Sequence, residues 1–314
     1  MAEIKTNPNT NCVFEEPWWL DLVAPGNWGE AFVKDGEKTL ARLPYVVGKG
    51  GISMPVYTQT LGIWMDEELR RPARGNEHLA RQKEVIHELL GQLPVKKNIE
   101  LSFHCSQEYV LPFRWEGFDI TPTFSYRISH KKEKTEIESA FGKGVRRDIN
   151  RGKRELLLDE EASAEEFISL QNQTYSRQGR KNPVENEITL KVIRTAIEAG
   201  HGKLLLARDR EGIAHAGVFV VYDNKTCYNL MSGQNTVFGN DCSMPFLLDN
   251  AIAFSAEKSA CFDFEGSMIE GIEQVYRRYG GTAVINWHVA RRSFFGDVLA
   301  AAKPRVKKIL KYRM

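Results

Sequence analysis

The 314-residue chain lacks most of the patterns that announce a familiar chemistry. Its five cysteines (Cys12, Cys105, Cys227, Cys242, Cys261) form no CxxC pair. Neither a zinc site nor a disulfide framework follows from such a set, and a reducing cytoplasm is the expected compartment. Seven histidines include no HxxxH or HExxH spacing, so no metal site is expected. There is no GxGxxG, no GxxxxGK[ST] and no GxSxG, which argues against Rossmann, P-loop and α/β-hydrolase sites. No apolar run approaches the roughly 20 residues that span a bilayer; the longest, 216–222, reads as a buried strand. The first residues show no basic-then-apolar leader pattern. One-sided charge is missing too: 43 Lys and Arg against 41 Asp and Glu leave +2, no global reason to expect a polyanionic partner.

What is present describes an ordinary globular protein, 42% hydrophobic and 27% charged, long enough for two domains. The polar, Asn- and Thr-rich stretch 1–13 is expected to fray. Residues 29–33 and 39–47 read as strands joined by a Lys34-Asp35-Gly36-Glu37 turn. An extended stretch over 52–64, a helix over 77–93 and strands over 99–104 and 119–128 follow. Residues 131–153 carry apolar positions Ile137, Phe141, Val145 and Ile149 at helical spacing, weakened by Gly142 and Gly144. A short strand (156–158), a helix opened by the Ser163/Glu166 capping box and a helix over 187–199 come next. Three strands (203–208, 213–222, 226–233) then lead through a loop, 234–241, to a helix over 243–258. Strand 261–265, helix 270–279 and strand 282–289 complete the series. Val33-Lys34-Asp35-Gly36-Glu37 is echoed by Ala207-Arg208-Asp209-Arg210-Glu211, each between two strands, as a duplicated lobe would show.

Several stretches offer chemistry. In Phe262-Asp263-Phe264-Glu265-Gly266-Ser267 the period of two puts Asp263 and Glu265 on one strand face. Two carboxylates there are costly to bury unless paired or working. One of them acts as a general base, or both pair with arginines such as Arg277, Arg278, Arg291 or Arg292. Tyr276, near its helix end, is either a proton donor or packing. Loop 234–241 precedes a helix whose free N–H groups suit a phosphate, and Gly239 allows close approach; an ordinary loop capped near Asp241 is the alternative. Tyr175-Ser176-Arg177-Gln178 ends another helix with groups able to grip an anion. Residues 127–154 hold ten Lys and Arg against four Asp and Glu, and 303–314 six against none. Such runs are solvated faces or tracks for a phosphate backbone.

The order of elements resembles the GNAT acyltransferase fold. Within that superfamily, LQNQTYSRQGRKNP (170–183) and FDFEGSMIEGIEQVYRRYGGT (262–282) resemble the Fem-type branch, which includes peptidoglycan-bridge aminoacyltransferases. The resemblance implies an α/β (α+β) fold of two GNAT-like lobes, each a mixed, largely antiparallel sheet flanked by helices. Lobes at 14–130 and 131–298 and a basic tail at 299–314 are expected. It implies that strand 226–233 splays from strand 261–265 to form a donor cleft. Gln234, Phe238, Gly239, Asn240 and Ser243 then stand where GNAT enzymes bind pyrophosphate, although the usual Gln/Arg-x-x-Gly-x-Gly/Ala spacing is missing. Glu265 and Asp263 would orient or deprotonate an amine and Tyr276 would protonate the leaving group, with Tyr175, Arg177, Gln178 and Ser267 facing substrate.

The implied activity is transfer of an acyl or aminoacyl group from acyl-coenzyme A or aminoacyl-tRNA to an acceptor amine, such as one on a cell-wall precursor, with no tightly bound cofactor. tRNA would give the basic runs a purpose. The alternatives are a non-catalytic GNAT-like ligand-binding protein, motivated by the broken donor-loop pattern, and a nucleic-acid-binding module built on the two basic segments.

Overall fold

The computed structural model describes residues 4–239 and 241–292. The basic tail expected from residue 299 onward lies outside them, as does Asn240.

The chain opens with α1 (Pro17–Val23) and the hairpin of β1 (Trp28–Asp35) and β2 (Lys38–Gly48). Two short strands follow, β3 (Gly51–Ile52) and β4 (Trp64–Met65). Next come α2 (Glu67–Arg70), α3 (Glu77–Gln92), β5 (Ile99–Phe103) and α4 (Leu111–Trp115). Strand β6 (Asp119–Ser129) leads to α5 (Lys134–Ala140), α6 (Lys143–Glu155) and β7 (Leu157–Asp159). Helices α7 (Ala164–Arg177) and α8 (Asn186–Glu198) precede the strands β8 (Gly202–Arg208), β9 (Ala214–Tyr222) and β10 (Thr226–Gln234). The series closes with α9 (Ser243–Lys258), β11 (Cys261–Asp263), α10 (Glu270–Arg277) and β12 (Thr282–Arg291).

The architecture is the expected α/β one, a mixed and largely antiparallel sheet flanked by helices. Among the described residues two compact units are formed: one from 4–26, 55–59, 122–239 and 241–286, the other from 27–54, 60–121 and 287–292. In the first unit the strands run β6-β11-β10-β9-β8-β7, with β10 and β11 parallel. In the second they run β1-β2-β3-β5-β12, with β3 and β5 parallel.

The period of two explains how the first unit fills both faces of its sheet. On β9, Ala216, Val218 and Val220 join one apolar cluster while Phe219 and Val221 join the other. The first cluster takes Val145 and Ile149 from α6 and Phe246, Leu247 and Ala251 from α9. The second takes Phe167 and Leu170 from α7, Val192 and Ile193 from α8, and Trp19 and Leu22 from α1. Close approach explains two glycines. A Cβ on Gly152 would sit 2.5 Å from Cβ of Phe246 on α9, and one on Gly233 2.6 Å from the Gln171 nitrogen on α7. In the second unit α3 lays Val85, Ile86, Leu89 and Leu90 against Leu43, Ile99 and Leu101 of the sheet.

Several local expectations change. Thr10 to Val13 are buried rather than frayed, because Asn11 satisfies its own polar groups against Glu15, with its N–H 2.7 Å from Oε2. Stretch 52–64 is mostly irregular, with Tyr57 at a positive φ of 54°. The run 131–153 forms two helices that break at Phe141 and Gly142, which adopt extended backbone. The echoed segments both lie in hairpins, and each carries a register shift at the matching step, Val33/Lys34 and Ala207/Arg208. Among the described residues no helix is long and apolar enough to cross a membrane.

Candidate active site around Glu265

The central parallel pair of the first unit parts early. Strands β10 and β11 are paired through Thr226↔Cys261, Cys227↔Phe262 and Tyr228↔Asp263, and β10 then continues to Gln234 without that neighbour. A register irregularity on β10 between Asn229 and Met231 begins at the point of parting. Asn229 is buried there with its Oδ1 lacking a hydrogen-bond partner.

The two carboxylates of the FDFEGS segment do not share a strand face, because β11 ends at Asp263 and Glu265 lies beyond it at φ 60°. Gly266 follows at φ 64°, and a Cβ on it would fall 1.9 Å from the Phe124 carbonyl oxygen, so only glycine fits. A non-glycine residue in the left-handed region costs about 1–3 kcal/mol and persists only where its surroundings hold it. Two contacts hold Glu265. Its N–H donates to Asp263 Oδ1 at 2.7 Å, and its carbonyl accepts from Gln59 Nε2 at 2.6 Å.

Asp263 is fully buried and saturated. Its Oδ2 accepts from Arg127 Nε at 2.6 Å, and its Oδ1 also accepts from Ser125 Oγ. The arginine that pairs with Asp263 is Arg127 of β6, the residue in register with it, and none of Arg277, Arg278, Arg291 or Arg292. Glu265 is the opposite case. Its Oε1 is buried without a partner. Burial, reinforced by the nearby Asp263 charge, pushes its carboxyl well above the usual carboxylate range.

Tyr276 of α10 faces the same place. Its ring stacks on Phe264, centroids 5.1 Å apart at 29°. Burial, then the charge of Glu265, pushes its hydroxyl up to about 12, against the opposing hydrogen bond from the Asn229 side chain. A hydroxyl so shifted stays protonated at neutral pH. Glu265, Tyr276 and Asn229 therefore form a small polar group at the parting of β10 and β11, walled by Phe264. This arrangement can take a proton at one atom and give one at another.

The loop before α9 is tied to the protein itself. Gln234 Nε2 donates to the Gly239 carbonyl at 2.6 Å, and the Gln234 N–H donates to Thr174 Oγ1 at 2.8 Å. At the start of α9, the Ser243 N–H donates to Asp241 Oδ1 at 2.9 Å, and the Ser243 hydroxyl bonds the same oxygen. Asp241 Oδ2 also lies 2.7 Å from Nδ1 of His215, whose Nε2 is 3.2 Å from Asp209 Oδ2. Phe238 stacks on the His215 ring, centroids 3.5 Å apart. The anion position at this helix start is filled by a carboxylate of the chain.

Of the other foreseen residues, Arg177 lines a groove of about 550 Å³ between α7 and α8, with Asn172, Gln173, Ser176, Asn186 and Thr236. Tyr175 and Gln178 do not line it; the Gln178 N–H caps α7 on the Tyr175 carbonyl at 3.0 Å. Ser267 Oγ accepts the Ile269 N–H at 3.0 Å, a turn that launches α10. Sequence reasoning missed Asn229, Gln59, Ser125 and Arg127. Among the described residues no His, Cys, Asp and Glu side chains gather in a set able to hold a metal ion.

Comparison with solved structures decides the fold. FemX superposes with a TM-score of 0.66 at 12% identity, over 95% of this chain and 96% of that one. The chain has a FemX-like fold. A conserved protein of unknown function from Bacteroides thetaiotaomicron (TM-score 0.53, 14% identity, 87% and 88% covered) is also similar. So is L-PGS from Bacillus licheniformis (0.50, 11%, 87% and 86%). No family model and no curated protein matches the sequence.

Proposed function

We propose that the protein is an acyltransferase that moves an aminoacyl group from an ester donor, of the aminoacyl-tRNA kind, to an acceptor amine. The observation that carries this reading is Glu265 Oε1, buried and unpartnered where β10 and β11 part. A carboxylate raised well above its ordinary range is matched to removing a proton from an alkylammonium or from the attacking amine. In the step proposed, the amine nitrogen bonds to the ester carbonyl carbon and Glu265 takes the proton it sheds. The carbon–oxygen bond of the ester then breaks, and the Tyr276 hydroxyl gives its proton to the departing ribose oxygen. Asp263 is a positioning residue, since its oxygens are spent on Arg127, Ser125 and the Glu265 N–H.

Asp241 favours an ester donor over acyl-coenzyme A. A pyrophosphate at the start of α9 would meet a carboxylate already seated on the Ser243 N–H. The α7–α8 groove, with Arg177 at its edge, is the proposed place for an anionic part of the substrate. The exposed arginines and lysines of α6 offer a track for the tRNA backbone.

The test is aminolysis of a bulk radiolabelled aminoacyl-tRNA pool by a panel of primary amines, read as amide formed. Amide formation should fall by about 10²–10⁴ in Glu265→Gln and should not be inhibited by coenzyme A. Unchanged turnover in Glu265→Gln, or amide formed only from acetyl-coenzyme A, would overturn the reading. Amine or wall-precursor binding without turnover would favour a non-catalytic binding protein.

A further inference from the structure

Helix α10 is strongly amphipathic in sequence yet has no buried residue. The apolar side chains at its start and along one flank face solvent: Met268 is 64% exposed, Ile269 52%, Ile272 38% and Val275 42%. Phe124, also exposed, belongs to the same face of the sheet, because on β6 it alternates in phase with Tyr126, whose hydroxyl donates to Glu273 of α10 at 2.5 Å. Contiguous apolar exposure of this kind marks an interaction surface rather than the scattered apolar residues of any protein.

The charge around the stripe is uneven. Helix α10 ends in Arg277 and Arg278, and the Arg278 carbonyl accepts the Gly142 N–H at 2.8 Å, which sets the start of α6 against it. The first turns of α6 carry Lys143, Arg146 and Arg147, all exposed, with no acidic residue in the first turn to complement the helix dipole. Arg147 pairs with Asp148, and Arg277 lies 3.6 Å from Glu273. Lys143, Arg146 and Arg278 are left without an ion pair among the described residues. On the acidic side, the Glu273 charge is spent on Tyr126 and Arg277, and only Glu270 remains open beside the stripe.

An apolar stripe bordered by unpaired cations is the composition of a segment that lies in a lipid interface. We infer that the α10 face, with Met268, Ile269, Ile272 and Val275 entering the acyl boundary and Lys143, Arg146 and Arg278 meeting headgroups, docks the protein on an anionic lipid bilayer. The stripe begins three residues after Glu265. Docking would bring the candidate site to the membrane surface, where an acceptor carried on a lipid is concentrated. The association itself does not depend on the proposed reaction.

The experiment is flotation of the full chain with vesicles of phosphatidylcholine alone and of phosphatidylcholine mixed with phosphatidylglycerol, at low and high salt. Binding to the mixed vesicles, weakening with salt and much lower on phosphatidylcholine, is expected. Neutralising Lys143, Arg146 and Arg278 should cost about fivefold in vesicle affinity per residue. Ile272→Glu with Val275→Glu should abolish binding, and the milder Ile272→Ser should weaken it if the double variant fails to fold. Three results would overturn the inference. One is a wild-type chain that stays with the aqueous fraction on mixed vesicles. Another is vesicle binding unchanged in both sets of variants while tRNA binding is lost. The third is a concentration-dependent dimer, without vesicle binding, that Ile272→Ser dissociates.

Discussion

The backbone N–H of Glu265 donates to the carboxylate of Asp263 at 2.7 Å, so one acid holds the turn that carries the other. The two are treated in opposite ways. Asp263 is surrounded by donors, whereas Glu265 is half-buried with one buried oxygen that has none. Division of labour between neighbouring carboxylates follows from their surroundings and not from their chemistry.

Glu265 should make the protein less stable above the ordinary glutamate range. Its folded-state carboxyl lies well above the unfolded value, so the native state holds its proton more tightly. Stability tied to that proton is fully present below the ordinary glutamate range and is lost as pH rises toward the raised value. Glu265→Gln should therefore raise Tm at neutral and alkaline pH, and the gain should shrink in acid. Thermal melts of both proteins across pH, beside the activity assay, test this. The acid limb of the wild-type rate profile should lie above the ordinary carboxylate range.

Removing Asp263 should be costly. Asp263→Ala leaves Arg127, itself only 14% exposed at the side chain, without its anion. Breaking one side of such a buried pair costs about 3–5 kcal/mol. Urea denaturation should show that loss, and replacing Arg127 and Asp263 together with apolar residues should recover much of it. Full recovery of stability without activity would show that the pair matters chiefly for placing Glu265.

Gly266 tolerates no side chain. Its φ of 64° alone costs alanine about 1–3 kcal/mol, and the Phe124 carbonyl stands 1.9 Å from where the Cβ would lie. Gly266→Ala should lower Tm and should reduce amide formation more than Gly239→Ala. Gly239 also has a positive φ, but nothing lies within 4 Å of its Cβ position. Comparing the two variants separates backbone strain from crowding.

Asp241→Asn removes the negative charge from the start of α9 and should raise affinity for inorganic pyrophosphate by roughly tenfold, the order of a helix-terminus charge effect. Calorimetry of both proteins checks it. Equal affinity would mean that Asp241 is not what keeps pyrophosphate away.

Much of this arrangement was legible in the residues. The β8–β9–β10 strands, the α9 cap region and the FDFEGS segment stand out by period and by turn residues. The alternation that put Asp263 and Glu265 on one face did not foresee that β11 stops between them. The stop comes from packing, since Gly266 must pass the Phe124 carbonyl on β6, a contact over more than a hundred residues of sequence. Asn229 was invisible for a similar reason. It sits in an otherwise apolar strand, and only the parting of β10 from β11 makes its position distinctive. Gln59 lies in an irregular stretch with no period at all, and its importance exists only through the Glu265 carbonyl. The polar start of the chain read as frayed because composition does not reveal that Asn11 and Glu15 satisfy each other.

That buried start has a consequence for how the protein is made. The Phe14 ring packs on Tyr228 with centroids 4.7 Å apart, and Lys225 Nζ donates to the Thr10 carbonyl at 2.6 Å across 215 residues. During synthesis at about 5–20 residues per second, this segment waits roughly 10–40 s before its partners leave the ribosome. Most of the cluster that buries Phe14, Trp18 and Trp19 comes from residues 164–231, and the first unit cannot close until residues up to 286 have emerged. Closure over so long a span should make folding yield depend on translation speed more than the final stability suggests.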